Sequence, residues 1–203
     1  MSCGGSPDLL RGARPPANVV VVSASISNRS LAARLGRPYD KGRGIVWQVA
    51  WVAVQSTVFT RVWCPNKVRV AILRAFGAQI GDGALVRHRV RIQWPWKLTM
   101  GDNSWIGTDV DLYNLDHITL GNDVVISQYA YVCTGSHDRH SPTFEFDNAP
   151  IVLEDGVWLC ARSTVLRGVT VGANSTVAAT ALVTRNVPPN STVLPPRSEI
   201  VRG

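Results

Sequence analysis

The chain is poor in charged residues and in cysteine, and it lacks a long hydrophobic run. Charged residues make up only 17% of its 203 residues. This scarcity, together with many Val, Ile and Gly residues, favours stacked β-structure over a helical bundle. None of the four cysteines forms a Cys-x-x-Cys pair, so we expect reduced thiols in a cytoplasmic protein, not a disulfide framework or a zinc site. The longest apolar stretch, Ile45–Phe59, holds about 15 residues, whereas a bilayer span needs ~20.

Acidic residues are also scarce, because 14 of them stand against 21 basic residues, for a net charge of +7. The excess is concentrated in residues 1–43, which contain seven Lys and Arg residues but only Asp8 and Asp40. Segments of such composition do not bury enough apolar surface to fold alone. Residues 1–43 are therefore predicted to be a basic, disordered tail, with contact to an anionic membrane surface as the alternative. No nucleic-acid partner is predicted.

Residues 44–79 are predicted to be a helical lead-in to the rest of the chain. Trp47 and Trp51 recur at helical spacing within the apolar stretch and share one helical face. A second helix, Val68–Phe76, is expected to end at Gly77, since glycine favours the left-handed backbone that closes a helix.

Two roles for this helical segment are open at this point. The helices could cap the exposed end of a β-structure, or they could lie at a membrane interface with Trp47, Trp51 and Trp63 as anchors. The second role would give a cytoplasmic protein peripheral membrane contact through residues 1–60.

From Ile80 onward the sequence repeats with a period of six. An aliphatic residue, or once Met100, begins each hexad, the fifth position is usually small or β-branched, and Gly, Asp or Asn occur where the chain must turn. Three hexads would make one triangular coil, and stacked coils would complete each other's hydrogen bonds. Residues 80–203 are therefore predicted to be an all-β domain of five parallel coils. The phase breaks over residues 137–150, which predicts a loop that projects from the coils.

These repeats resemble the hexapeptide-repeat acyltransferases. Cys133–Asp138 and Pro150–Leu159 resemble the branch of that family that contains galactoside, maltose and nodulation-factor acetyltransferases. Within the branch, Arg91–Asp102 and His137–Phe144 are similar to the colanic-acid-biosynthesis type. The resemblance implies a left-handed parallel β-helix, a handedness that the period itself does not give, since parallel crossovers are normally right-handed. It also implies a homotrimer with acetyl-CoA as co-substrate and no metal.

The resemblance implies a role for individual residues as well. His137 matches the catalytic histidine, the general base for the acceptor hydroxyl. Asp109 stands where relatives use an asparagine to hold the acceptor sugar, and Asp111 and Asn114 in the same coil are the alternative acceptor ligands.

The acetyl-CoA track is implied along the C-terminal coils. The matching positions are Trp158, Ala161, Ala179, Thr184 and Arg185. The two alanines would let the pantetheine arm approach the backbone, and Arg185 would pair with CoA phosphates. The sequence departs from its relatives at Leu194, Pro195 and Pro196, where they have a different turn near the adenine.

Together these features predict an acetyl-CoA-dependent O-acetyltransferase. It would act on a sugar hydroxyl, free or lipid-linked, in exopolysaccharide biosynthesis of the colanic-acid kind, by direct transfer in a ternary complex. N-acetylation of an amino sugar and a non-catalytic β-helix scaffold are the alternatives. A γ-type carbonic anhydrase is disfavoured, because the four histidines lack the spacing of its zinc ligands.

Overall fold

The chain folds as a three-sided prism of short parallel strands, closed at one end by helices. The computed structural model describes residues 38–197, so the tail prediction for residues 1–37 lies outside the described residues. In chain order, the strands are β1 (Gln79–Ile80), β2 (Leu85–Val86), β3 (Arg91–Ile92), β4 (Leu98–Met100), β5 (Trp105–Ile106), β6 (Asp111–Tyr113), β7 (Ile118–Leu120), β8 (Val125–Ile126), β9 (Tyr131–Cys133), β10 (Ile151–Leu153), β11 (Trp158–Leu159), β12 (Thr164–Leu166), β13 (Thr170–Val171), β14 (Thr176–Val177), β15 (Leu182–Val183) and β16 (Thr192–Val193).

The strands form three parallel sheets, one for each side of the prism. The first face contains β1, β4, β7, β10 and β13; the second contains β2, β5, β8, β11, β14 and β16; the third contains β3, β6, β9, β12 and β15. The predicted fold class, a parallel β-helix of hexapeptide repeats with a short N-terminal helical segment, is confirmed. Five complete coils are present as expected, and β16 adds a strand of a sixth coil that the count of hexads missed.

The residues that begin the hexads fill the interior. Equivalent positions of successive coils pair directly on the first face, in the order Ile80, Met100, Leu120, Leu153 and Val171. All five are buried. No coil covers its own apolar face, so the coils stabilise one another as a stack.

The corners depend on small residues and on left-handed backbone. Gly83 and Gly156 have φ angles of +68° and +70° where the first face turns into the second, and Asn103 occupies the same position with φ +55°. At Gly81 the next coil lies so close that an added Cβ would meet the Asp102 Oδ1 at 2.3 Å. The recurring Gly, Asp and Asn residues are therefore requirements of the turn.

Helix α1 (Ile45–Val54), which continues as a π-helical turn (Gln55–Phe59), covers the open edge of the third face. The indole Nε1 of Trp51 donates to the carbonyl of Ile92 at 2.9 Å, and the Gln55 Oε1 accepts from the Ile92 N–H at 2.8 Å. Trp51 is fully buried. Its suggested role as a membrane anchor is therefore wrong, because its indole satisfies a strand edge inside the protein.

Helix α2 (Asn66–Ala75) protects the other two open edges. The Asn66 side chain donates to the carbonyl of Ala84 at 2.9 Å and accepts from the Val86 N–H at 2.8 Å. The Arg74 guanidinium donates to the carbonyl of Ile80 at 2.7 Å. Polar side chains thus replace the hydrogen bonds that a preceding coil would supply.

The start of α2 differs from the sequence prediction. The helix begins at Asn66 and not at Val68, because Pro65 occupies the N-cap with extended backbone and leaves the next residue free to be helical. Its end agrees with the expectation, since Gly77 has a φ angle of +93°. Among the helices of residues 38–197, none is long and apolar enough to cross a membrane.

Residues 38–43, the end of the segment expected to be a tail, contact the prism. The Tyr39 hydroxyl accepts from the indole N–H of Trp94 at 3.0 Å. The ammonium group of Lys97 donates to the carbonyl of Asp40. These contacts hold residues 38–43 along the edge where the third face meets the first.

Candidate active site

The break in the repeat produces a loop on the third–first edge of the prism. Residues 137–150 leave the third face after β9 and return to the first face at β10. The loop folds back on itself, because Asp138 N donates to the carbonyl of Glu145 at 2.9 Å, and His137 pairs with Phe146 in an antiparallel bridge. His137 therefore sits at the base of the loop, next to the prism.

The ring of His137 is fixed by aromatic contacts and by one hydrogen bond. It stacks on Phe144 with centroids 4.1 Å apart and planes 9° apart, and it lies 4.6 Å from the ring of Phe146. Its Nδ1 lies 3.0 Å from the carbonyl oxygen of Phe144. A carbonyl accepts only, so Nδ1 carries the proton of the neutral ring and Nε2 holds the lone pair. This tautomer is the one that a general base acting through Nε2 requires.

A cleft of about 670 Å³ adjoins this loop along the same edge. Phe146 belongs to both places, because it contacts His137 and also lines the cleft, where it meets the Tyr39 ring edge-on at 5.0 Å. Trp96 and Arg43 also line the cleft, and the Arg43 guanidinium lies over the Trp96 ring, 5.7 Å from its centroid. The cleft therefore combines aromatic rings with charged groups, and the Phe146 ring separates it from His137.

Polar groups line the rest of the cleft. Asp116 and Asn148 offer a carboxylate and an amide. Lys97 also lines it, but its ammonium donates to the carbonyl of Leu115 at 2.6 Å and to that of Asp40, and burial lowers its pKa. Lys97 thus fastens residues 38–43 in place, while Asp116 and Asn148 are the groups suited to binding hydroxyls.

Two of the expected acceptor ligands carry ion pairs. The Asp109 carboxylate accepts from the Arg89 guanidinium at 2.9 and 2.7 Å, and these bonds hold its pKa below the ordinary value. Asp111 pairs with Arg91 at 2.7 Å. Asp109 lies on the second–third edge and Asp111 on the third face, so neither lies on the edge that carries His137.

Asn114, the third expected acceptor ligand, serves the corner of its coil. It lies on the same edge as His137, but its side chain is fully buried. Its Oδ1 accepts from the Trp94 N–H at 2.9 Å, and its Nδ2 donates to the Trp94 carbonyl at 2.6 Å. The amide is committed to the backbone of the preceding coil and has no surface open to a ligand.

The residues expected to bind acetyl-CoA fall into two groups. Ala161 and Ala179 occupy the second–third edge in successive coils, and Trp158 stands on the second face with its indole N–H donating to Ser127 Oγ at 3.0 Å. Thr184 and Arg185 instead line a cavity of about 450 Å³ at the C-terminal end of the prism. Both of these side chains are exposed.

The width of the third face separates these groups within one chain. His137 and the cleft lie on the third–first edge, whereas Asp109, Ala161 and Ala179 lie on the second–third edge. A single prism does not bring the two sets to one substrate.

Several cleft residues escaped sequence analysis. Tyr39 falls within the segment expected to be disordered, and nothing in the hexad pattern singles out Asp116 or Asn148. The Phe144 carbonyl that orients His137 is a backbone group and leaves no sequence signal. Trp96 belongs to a segment that carries the family resemblance, which was the one available hint. Among residues 38–197, no group of three or more His, Cys, Asp or Glu side chains could hold a metal ion.

Comparisons with known proteins agree with this fold. No protein-family model matches the chain. WcaF of Escherichia coli (strain K12), a protein named as a colanic acid biosynthesis acetyltransferase, is 45% identical over 143 residues, 69% of this chain and 78% of the relative. A galactoside O-acetyltransferase of Lactococcus lactis is 30% identical over 148 residues, 70% of each chain. The hexapeptide-repeat-containing acetyltransferase VCA0836 of Vibrio cholerae, solved with acetyl-CoA, superposes with a TM-score of 0.69 at 25% identity, over 80% of this chain and 92% of that chain.

Proposed function

Since this chain belongs to the hexapeptide-repeat acetyltransferases and is an acyltransferase that uses acetyl-CoA, we propose that its acceptor is a hydroxyl group of a sugar. The relatives named above include a galactoside O-acetyltransferase and a protein named for colanic acid biosynthesis. An exopolysaccharide precursor, free or lipid-linked, is the acceptor that fits these names. The observation that carries the proposal is the orientation of His137 beside the aromatic cleft.

His137 acts as the general base in this proposal. Its Nε2 takes the proton of the sugar hydroxyl as the oxygen attacks the thioester carbonyl of acetyl-CoA. The tetrahedral intermediate then collapses, the carbon–sulfur bond breaks, and the imidazolium returns the proton to the leaving thiolate. The hydrogen bond from Nδ1 to the Phe144 carbonyl supports this cycle, because it fixes the tautomer and steadies the imidazolium. Both substrates are bound at once, and no acetyl-enzyme forms.

The cleft on the third–first edge is the proposed acceptor site. The aromatic rings of Trp96 and Tyr39 suit the apolar part of a sugar, and Asp116 and Asn148 suit its hydroxyls. Asp109 and Asp111 stay in the proposal as acceptor ligands supplied by a neighbouring copy, whereas the burial of Asn114 removes it.

Acetyl-CoA is proposed to lie along the second–third edge of a neighbouring copy. The small side chains of Ala161 and Ala179 leave the backbone open to the pantetheine arm, and Trp158 walls the acetyl end. Thr184 and Arg185 at the C-terminal cavity would receive the nucleotide, with Arg185 on its phosphates.

The separation of the two edges supports a homotrimer. A closed ring of three copies can place the third–first edge of one prism against the second–third edge of the next. Each site would then take His137 from one copy and Ala161 from another. We also propose that the enzyme is cytoplasmic and makes peripheral membrane contact through residues 1–60.

An acceptor panel with acetyl-CoA tests the reaction. We expect thiol release that depends on a sugar, and a product whose acetyl group is removed by alkaline hydroxylamine, as that of an oxygen ester is. An amide product from an amino sugar, stable to hydroxylamine, would favour N-acetylation. No turnover on any free or lipid-linked sugar would favour a scaffold.

Mixing two inactive variants tests the shared site. His137→Ala removes the base, and Ala161→Trp blocks the proposed thioester track. If each site is shared between copies of a trimer, random co-assembly of equal amounts restores about one quarter of the sites. No recovery of activity, or a monomeric mass for the wild type, would contradict the shared site.

A further inference from the structure

Helix α1 is apolar on more than one side, but the protein covers only the side that carries Trp51. Trp51 faces the prism and is fully buried. Ile45, Val49 and Val52 recur at helical spacing on another side and remain exposed. Together with Ser56 and Trp94 they line a shallow groove of about 390 Å³. A helix that is hydrophobic all round normally has a partner on every side.

Other bulky apolar side chains of the same cap are equally uncovered. Val46 is 76% exposed, and Val62 and Trp63 in the turn before α2 are each 68% exposed. The cap surface is defined here as Ile45, Val46, Val49, Val52, Val62 and Trp63. The cap surface lies at the N-terminal end of the prism, whereas the cavity that Arg185 lines lies at the C-terminal end.

The charge of the cap selects the kind of partner. Between Asp40 and Asp82 the chain contains six basic residues and no acidic one. Of these, Arg61 and Lys67 are exposed beside the cap surface. Apolar side chains next to positive charges match an anionic lipid interface. The apolar side chains can insert among the acyl chains, and the positive charges can pair with the anionic headgroups.

The same charge argues against a protein copy as the partner. A second cap would bring a second Arg61 and a second Lys67 to the contact, and like charges that face each other oppose association. Residues 1–37 carry five arginines against one aspartate, so they do not supply the missing negative charge.

We propose that the cap surface docks onto a bilayer that contains anionic phospholipid, with the first coil of the prism toward the lipid. The cleft beside His137 is lined by Arg43 and Gly77, which flank α1 and α2. Docking therefore places this end of the cleft near the lipid surface, which deepens the proposed function by favouring a lipid-linked saccharide as acceptor. The docking itself does not depend on the reaction.

Vesicle flotation of the full chain tests the docking. We expect the protein to float with vesicles of phosphatidylcholine and phosphatidylglycerol, but not with phosphatidylcholine alone. Val49→Glu with Val52→Glu should weaken binding at least about tenfold, because two apolar side chains leave the lipid. Lys67→Gln should weaken it about fivefold, the effect of one basic residue at such a surface. The control Leu194→Glu changes an equally exposed side chain at the other end of the prism and should bind as the wild type does.

Three outcomes would overturn the docking proposal. These are equal flotation of the double variant and the wild type, equal binding to neutral vesicles, or no flotation with anionic vesicles; in the last case, an assembly that Val49→Glu dissociates would identify a second copy as the partner. Acetyl transfer to a soluble sugar, measured on the same samples, distinguishes a failure of the docking proposal from a failure of the proposed reaction. Flotation without acetyl transfer would contradict only the proposed reaction, and acetyl transfer without flotation would contradict only the docking.

Discussion

Replacing Asn114 should unfold the protein more easily without changing how it binds the acceptor. The Asn114 amide is fully buried and makes two hydrogen bonds to the backbone of Trp94. In Asn114→Ala the Trp94 N–H loses its partner in the interior, whereas the Trp94 carbonyl still accepts from the Lys97 N–H at 3.0 Å. One unsatisfied buried group costs about 1–3 kcal/mol and the second lost hydrogen bond about 1 kcal/mol, so the free energy of unfolding should fall by about 2–4 kcal/mol. For a protein of this size, that corresponds to a melting temperature lower by roughly 4–16 °C.

Thermal unfolding and steady-state kinetics together test this prediction. The control Asp111→Asn removes a partly exposed ion pair with Arg91, and such pairs contribute about 0–1 kcal/mol. At a temperature where Asn114→Ala is still folded, its KM for the acceptor should equal that of the wild type. An unchanged melting temperature with a raised acceptor KM would refute the reasoning and return Asn114 to the acceptor site.

Three further variants test the corners, the charges and the CoA end. Gly81→Ala should destabilise the protein by about 1–3 kcal/mol, because its Cβ would meet Asp102 at 2.3 Å. The control Gly44→Ala, with nothing within 4 Å of the added Cβ, should change stability by less than ~0.5 kcal/mol. Equal melting temperatures of the two variants would contradict the packed corner. Burial and neighbouring arginines lower the pKa of His88 in the folded protein, so as the pH falls through about 6.5 the unfolded chain protonates His88 before the folded chain does. On acidification the wild type should therefore lose more stability than His88→Gln. Equal losses of stability in the two proteins would contradict this prediction. Arg185→Ala should raise the KM for acetyl-CoA about tenfold or more, as expected for a lost charged hydrogen bond, while the exposed Arg87→Ala should leave that KM unchanged; similar values for both would remove Arg185 from the CoA site.

The prism could be predicted from the sequence because its physics is local and periodic. The first position of each hexad predicts which residue enters the interior, and residues such as Gly83 and Asn103 mark where the chain turns. The sixth coil was missed because Pro188 and Pro189 interrupt the hexads before β16. The beginning of α2 was placed too late, since Pro65 looks like a break although it is tolerated at the start of a helix.

The candidate site was less predictable because its parts are not periodic. The position of His137 followed from the break in phase, but the Phe144 carbonyl that orients it is a backbone group. Asn114 looked like a ligand because burial is not visible in one sequence. Tyr39 joins the cleft through contacts with Trp94 and Phe146, which are distant in the chain.

The activity of a His137 variant tests most directly whether the loop on the third–first edge carries the base. His137→Ala should lower kcat by about 10²–10⁴-fold, with a melting temperature close to that of the wild type. His140→Ala is the matched control, because it changes an exposed histidine of the same loop and should leave kcat nearly unchanged. A folded His137→Ala enzyme that turns over at the wild-type rate would contradict the assignment of the base.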